Sequence, residues 1–222
     1  MAKTYYQLMS NNNNNTEKWV VTIGRQFGSG GREIGRLVAE KLGIEYYDKE
    51  LLIEAARQSG VSEHIFEAAD ERSPRFFANI WSFNLGLNSG SYFMGDTPLS
   101  DDHIYRAQSE VMTTLADRGP CVMVGRTADY VLRNHCRVVS VFVHAPESAR
   151  IARILERGDC QSEDEARSLM DKKNRLRAEY YNFYTDKHWG EASSYDLTID
   201  SSLLGSEGTA ELIAQFARSV TH

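Results

Sequence analysis

Cysteine is scarce in this chain: Cys121, Cys136 and Cys160 are the only three, an odd number without metal-ligand spacing. A disulfide framework and a structural zinc site are therefore not encoded, and a reducing, cytoplasmic setting is expected. An excess of basic residues is missing too. With 25 Lys and Arg against 31 Asp and Glu, the formal net charge is −6, which speaks against a partner that is a nucleic-acid polymer. No apolar run approaches the ~18 residues of a membrane span, and Met1 to Asn15 has no apolar core of a signal peptide, so no membrane partner is expected. The six histidines, His64, His103, His135, His144, His188 and His222, form no metal pattern. The strict nucleoside-triphosphate loop, G-x-x-x-x-G-K-[ST], is also absent.

What remains is an ordinary globular composition, 41% hydrophobic and 25% charged over 222 residues. That is enough for one large domain, or for a core with an inserted subdomain. Its most informative stretch runs from Val20 to Gly35. A β-branched apolar run, Val20-Val21-Thr22-Ile23, leads into a cluster of glycines at Gly24, Gly28, Gly30 and Gly31. From Arg32 the pattern turns helical through Ile34, Leu37, Val38 and Leu42, and Gly43 stops it. In a strand–glycine–helix order, small residues let several N–H groups converge beside the positive end of a helix dipole, the arrangement that holds phosphate. The dinucleotide pattern G-x-G-x-x-G is broken as well, because Glu33 follows Gly28-x-Gly30 where the third glycine belongs. A tight αβ connection is the plain alternative, although it needs fewer glycines than these.

Along the rest of the chain, residues 1–17 form a polar tail with Asn11–Asn15 at its centre, expected to be flexible. Ile44–Asp48 predicts a second strand and Lys49–Ser59 a helix. Residues 60–100 are irregular and end in a Gly/Ser/Asn-rich loop from Asn88 to Ser100. A helix from Asp101 or Asp102 to about Asp117 precedes a buried strand, Cys121–Val124. A short helix reaches Arg133, and Val138–Val143 reads as a strand covered on both faces. Then come a helix from Pro146, a charged helix over Ser162–Tyr184, a fifth strand at Tyr195–Asp200 and a last helix over Gly208–Ser219. Strands alternating with helices imply an α/β fold with a parallel sheet.

Several constellations carry possible chemistry. Arg150, Arg153 and Arg157 share a helix face, and Lys172, Lys173, Arg175 and Arg177 follow. With acids interleaved, they form either a solvated surface or a cationic cover for polyphosphate. Arg126, directly after a buried strand and Gly125, is placed at the carboxyl edge of the sheet, where open α/β folds bind ligands. Asp48 ends the second strand, as a helix cap or a ligand contact. Tyr180, Tyr181, Phe183, Tyr184 and Trp189 cluster late in the charged helix and read as packing or a subunit contact rather than base stacking, which admits a homodimer.

Over roughly residues 18–220 the chain resembles the cytidylate kinase-like branch of the nucleoside monophosphate kinases. The resemblance rests on Ile23–Gly35 as an altered phosphate loop, Tyr46–Leu52 as the start of an acceptor-binding part, Val124-Gly125-Arg126 as the strand end, and Tyr195–Ser202 as the final strand and turn. It implies a P-loop NTPase-type parallel five-stranded sheet flanked by helices, with a helical acceptor-binding insertion at about 49–118 and a helical lid at about 150–190. It also implies ATP and Mg²⁺ as cofactors and a small nucleotide as acceptor, CMP or dCMP being the first guess. On this reading Gly28, Ser29, Gly30, Gly31, Arg32, Glu33 and Arg153 bind the donor. Arg32, Arg126, Lys173 and Arg175 are the catalytic cations. Asp48, Arg126 and Asp129 bind the acceptor, with Asp129 also the metal ligand. The chain departs from the family pattern where Gly31 replaces the loop lysine, Glu33 stands near the missing hydroxyl, and Thr127 replaces the aspartate after Gly-Arg. Two other readings stay open: a nucleotide-binding regulator without efficient catalysis, and a Rossmann oxidoreductase using Asp48, about 20 residues past the glycines, as the ribose-binding acid.

Overall fold

A computed structural model of the chain describes residues 18–48, 101–125 and 127–221. The tail over 1–17, the expected helices and loop of 49–100, and Arg126 lie outside these residues. Within them, β1 (Trp19–Arg25), β2 (Glu45–Tyr47), β3 (Cys121–Val124), β4 (Arg137–His144) and β5 (Leu197–Asp200) alternate with helices. The helices are α1 (Gly31–Leu42), α2 (Asp101–Arg118), α3 (Ala128–Val131), α4 (Glu147–Glu156), α5 (Glu163–Tyr184) and α6 (Ser201–Thr221).

The five strands form one sheet in the order β2-β3-β1-β4-β5, and every pairing is parallel. β1 is central, with Ile23 opposite Val124 on one side and Val141 on the other. Alternation along the strands sends side chains to opposite faces. Val21, Ile23, Val122, Val124, Val139 and Val141 pack with Ile34 and Val38 of α1 and Ala210 and Ile213 of α6. Val20, Cys121 and Met123 pack on the other face with Met112 and Leu115 of α2 and Leu132 after α3. Covering both faces explains why β3 and β4 read as continuous apolar runs. A separate apolar cluster, Ile151, Ile154, Ala166 and Met170, joins α4 to α5, with Phe27 packed against it.

The helix ends follow their sequence signals. Gly43 takes a left-handed φ of 66° and its N–H returns to the carbonyls of Ala39 and Glu40. Ser162 caps α5 by accepting from the Glu165 amide at 3.3 Å, while Glu165 accepts the Gln161 amide at 3.0 Å. At the C-terminus the helical pattern starts earlier than its periodicity predicts, at Ser201 instead of Gly208, because Gly205 (φ 65°, ψ −176°) joins two helical pieces at a corner. The helix predicted to reach Arg133 is shorter, Ala128–Val131.

Because all strands run the same way, Arg25, Asp48, Gly125, His144 and Asp200 end at one edge. The chain leaves β1 toward β2 and leaves β4 toward β5, so the topology reverses between β1 and β4, the place where such sheets bind ligands. The order also separates this sheet from the Rossmann arrangement. Here β3 lies between β1 and β2, whereas the dinucleotide fold sets β2 directly against β1.

Candidate active site

The loop from Gln26 to Gly30 follows β1 at that point of reversal, and three carbonyls in or beside it are held by side chains from other elements. The Arg25 carbonyl accepts from Nη1 of Arg177 at 3.0 Å. That of Gln26 accepts from the Ser29 hydroxyl at 2.9 Å, and that of Gly28 from Nη1 of Arg153 at 2.9 Å. The Ser29 carbonyl accepts from the buried hydroxyl of Ser201 at 2.7 Å, which also reaches the His144 carbonyl at 3.2 Å. Of the loop amides, that of Gln26 donates to the Val143 carbonyl at 3.0 Å, that of Phe27 to Oδ1 of Asn174 at 2.8 Å, and that of Ser29 back to the Gln26 carbonyl at 3.3 Å. The amides of Gly28, Gly30 and Gly31 have no acceptor among the described residues. With the carbonyls tied to the surroundings, these donors are left on the inner side of the loop, at the first turn of α1, where the helix supplies no partner for them.

Glycine is required here by backbone and by space. Gly28 and Gly30 have φ of 83° and 79°, conformations that L side chains rarely adopt. A Cβ at Gly28 would lie 2.9 Å from both Cβ and the carbonyl oxygen of Arg150, and one at Gly30 would lie 3.2 Å from the Arg153 guanidinium. The loop is thus packed from below by α4. Arg150 donates from Nε to the Ala145 carbonyl at 2.9 Å, and its buried Nη1 has no hydrogen-bond partner. Burial lowers the pKa of this guanidinium, with the Asp171 charge opposing.

From the side, α5 presents an inward row at Ala166, Met170, Lys173 and Asn174, Arg177 and Tyr181, spaced three or four apart. Asn174 and Arg177 grip the loop and the end of β1. Lys173 is buried between them and Met170. Burial lowers its pKa first, and the charges of Arg177 and Lys172 lower it further. Tyr181 donates to Oδ2 of Asp129 at 2.7 Å, and Lys187 approaches the same oxygen at 3.5 Å. This brace ties α5 to α3.

Across the loop, Nε of Arg32 pairs with Oδ2 of buried Asp48 at 2.7 Å. The Tyr46 hydroxyl donates to the Arg32 carbonyl at 3.2 Å and lies 3.4 Å from Asp48 Oδ2. Burial and then the Asp48 charge push this phenol up to about 12, while Arg32 and Arg25 oppose the shift. Beyond them Thr127, which is not glycine, holds a left-handed φ of 57°. For a β-branched residue this is strained by roughly 1–3 kcal/mol, and it falls at the end of β3 beside the expected acceptor arginine.

The sequence-predicted residues are therefore distributed unevenly. Gly28, Ser29, Gly30, Gly31 and Arg153 meet in the loop. Arg32 and Asp48 form one ion pair, and Lys173 lies on the inward row of α5. Glu33 is exposed in the first turn of α1. Arg175 points the other way: its side chain is 72% exposed and reaches only Glu179, at 4.0 Å. The Asp129 carboxylate is taken up by Tyr181 and Lys187, and no group of three His, Cys, Asp or Glu among the described residues has the arrangement of a metal site. Arg157, which caps the end of α4, pairs with Asp159 and holds its guanidinium 5.5 Å from the centre of the Phe27 ring. The aromatic cluster packs, as expected: Tyr184 stacks on Tyr105 at 4.1 Å, and Trp189 meets Phe142 edge-on at 5.2 Å. Phe183 stays exposed.

Sequence reasoning missed Arg25, Asn174 and Ser201. Arg25 is the most consequential. A Cβ at Gly31 would lie 2.5 Å from Cβ of Arg25, and one at Gly125 would overlap its Nη1. The arginine stem therefore runs along Gly31, and its head lies against Gly125. The signal was available as a cation at the end of β1 in a loop lacking its lysine.

The model of the cytidylate kinase-like family matches residues 20–203. Comparison with curated proteins gives no match. Among solved structures, an uncharacterized protein from Eubacterium ventriosum ATCC 27560 superposes with a TM-score of 0.67 at 24% identity, covering 91% of this chain and 99% of that one. The tunicamycin resistance protein of Deinococcus radiodurans gives 0.50 at 18% identity, covering 90% and 96%. A gluconokinase from Sinorhizobium meliloti 1021 gives 0.48 at 16% identity, covering 92% and 98%. The fold, five parallel strands flanked by helices, is shared with the first two of these structures.

Proposed function

The chain belongs to the cytidylate kinase-like family, and we propose that it is an ATP-dependent phosphotransferase acting on a small phosphate-bearing acceptor, a nucleoside monophosphate in the first instance. The observation that carries this reading is the glycine loop. The carbonyls of Arg25, Gly28 and Ser29 are held by Arg177, Arg153 and Ser201 from outside the loop, that of Gln26 is held by Ser29 within it, and the amides of Gly28, Gly30 and Gly31 remain for an anion beside the start of α1.

In this reading the loop amides, with Ser29, Arg32 and Glu33 alongside, bound the polyphosphate. Arg153 and buried Lys173 supply positive charge on the lid side. The Arg32–Asp48 pair stands at the carboxyl edge of β2, on the acceptor side, and Arg126, outside the described residues, is assigned to the acceptor phosphate by the family resemblance, since a guanidinium fork suits a phosphate. Phosphoryl transfer asks little covalent work of the protein, so positioning and charge neutralisation supply most of the rate. Mg²⁺ would arrive with the nucleotide, held chiefly by phosphate oxygens, and would neutralise phosphate charge.

The test is calorimetric titration of the wild-type protein and Gly30→Val with MgATP, followed by transfer assays across nucleoside monophosphates, nucleosides and sugars. Valine cannot adopt φ 79° without strain and meets Arg153, so the folded variant is expected to lose ATP binding. Undiminished affinity in that variant would remove the loop from the donor site. Turnover of an unphosphorylated compound alone would remove the phosphate-bearing acceptor.

A further inference from the structure

A loop built for polyphosphate without its lysine leaves a charge to be accounted for, since Gly31 occupies the lysine position. We propose that Arg25, from the last position of β1, supplies that cation and is a catalytic residue of this enzyme; the assignment rests on the ATP reading above.

Three observations converge on it. First, Gly31 lacks a side chain because Arg25 takes the space: a Cβ there would stand 2.5 Å from Cβ and 2.9 Å from Cγ of the arginine. Second, Gly125 at the end of β3 lacks one for the same reason, since a Cβ there would overlap Nη1 of Arg25 and stand 3.2 Å from its Cζ. Two glycines from separate elements are thus cleared along one side chain, at its stem and at its head. Third, the backbone of Arg25 is fixed from both sides. Its carbonyl accepts from Arg177 at 3.0 Å, and its neighbour Gln26 donates to the Val143 carbonyl at 3.0 Å. The guanidinium is delivered between the glycine loop, where the donor phosphates would lie, and Gly125, which precedes the acceptor-side Arg126.

The other candidate cations are placed differently. Arg32 pairs with Asp48 at 2.7 Å, Arg153 donates to the Gly28 carbonyl, and Arg175 faces solvent. A guanidinium held between donor and acceptor meets the phosphoryl group in transit. As an oxygen of the acceptor phosphate forms its bond to the γ-phosphorus, the bond from that phosphorus to the β–γ bridging oxygen breaks, and ADP leaves with the electron pair. No proton changes hands, and Arg25 offsets the negative charge spread over the equatorial oxygens. Removing the lysine from the loop and supplying an arginine from the strand before it therefore relocates one charge, and Gly31 and Gly125 are the space that the relocation needs.

The experiment compares wild type, Arg25→Ala, and the double variant Arg25→Gly/Gly31→Lys, each checked for folding by circular dichroism. MgATP, MgADP and AMP are titrated calorimetrically, and ATP consumption is followed with the best acceptor of the screen. Arg25→Ala is expected to weaken ATP at least tenfold while changing AMP little. The double variant, in which glycine at position 25 removes the Cβ and Cγ that a side chain at position 31 would meet, is expected to regain a large part of the ATP affinity and of the rate. A purely structural role for Arg25 would not be rescued by a lysine rooted elsewhere. If Arg25→Ala does not fold, Arg25→Met, which keeps the stem, takes its place as the single variant. A folded Arg25→Ala with wild-type ATP affinity and rate overturns the assignment, as does a double variant no better than the single one. A wild-type protein that binds no ATP overturns the loop reading itself, which distinguishes the two failures.

Discussion

Replacing Tyr181 by phenylalanine deletes one oxygen from the brace between α5 and α3. The lost bond runs from a buried phenol to the Asp129 carboxylate at 2.7 Å, and that carboxylate is only 8% exposed. A hydrogen bond to a charged group contributes about 1.5–3 kcal/mol net, and losing the donor leaves part of the carboxylate's desolvation uncompensated. Lys187, 3.5 Å away with a side chain 37% exposed, recovers a share of it. The balance is a loss of about 2 kcal/mol. In a protein of this size it lowers the melting temperature by roughly 4–8 °C. Urea unfolding at pH 7 reads the loss directly, as a lower midpoint at unchanged slope. Asp129→Asn and the double variant complete a cycle that isolates the pairwise coupling. A Tyr181→Phe protein within about 0.5 kcal/mol of wild type would refute the view that this contact anchors the inward row of α5.

Two further outcomes follow from the same structure. Burial, in each case the largest cause, raises Tyr46 and Tyr195 from 10.0 to about 12 and Cys121 from 9.0 to about 12. A folded-state pKa above the unfolded one gives stability that is complete below the unfolded value and is lost as pH rises toward the folded one. The urea midpoint is therefore expected to fall between pH 9 and 12, and a flat profile to pH 11 would contradict it. Ser201→Ala strips the buried Ser29 and His144 carbonyls of a shared donor and is expected to cost about 1–3 kcal/mol and to weaken ATP binding, read by thermal melts and calorimetry. Unchanged values for both would detach Ser201 from the loop.

Much of the fold was legible because it is written locally. The apolar runs of β3 and β4, the glycines before α1, and the Ser162 and Glu165 pair at the start of α5 each state their structure within a few residues. Of the candidate site, the strand–glycine–helix order of the loop was legible for the same reason. Arg25, Asn174 and Ser201 were not, since their partners depend on the strand order, which periodicity does not give. Phe27 to Asn174 spans 147 positions. Arg175 misled because a charged residue two positions from an inward lysine falls on the opposite side of a helix. The Tyr181–Asp129 contact was hidden by chemistry: an aspartate near a glycine-arginine strand end reads as a ligand, and only its neighbours show it to be a brace.

The contact between Ser201 and Ser29 joins residues 172 positions apart, and this separation has a temporal meaning. Synthesis proceeds from the N-terminus, so the glycine loop leaves the ribosome well before the hydroxyl that fixes its carbonyl. Until β5 docks on β4 and turns the corner into α6, the Ser29 carbonyl has no internal donor from that side, and the loop amides have less reason to face inward. The long closure that must precede this contact makes it a late event on the folding route. The carbonyl pattern of the glycine loop is thereby completed only with the far edge of the sheet.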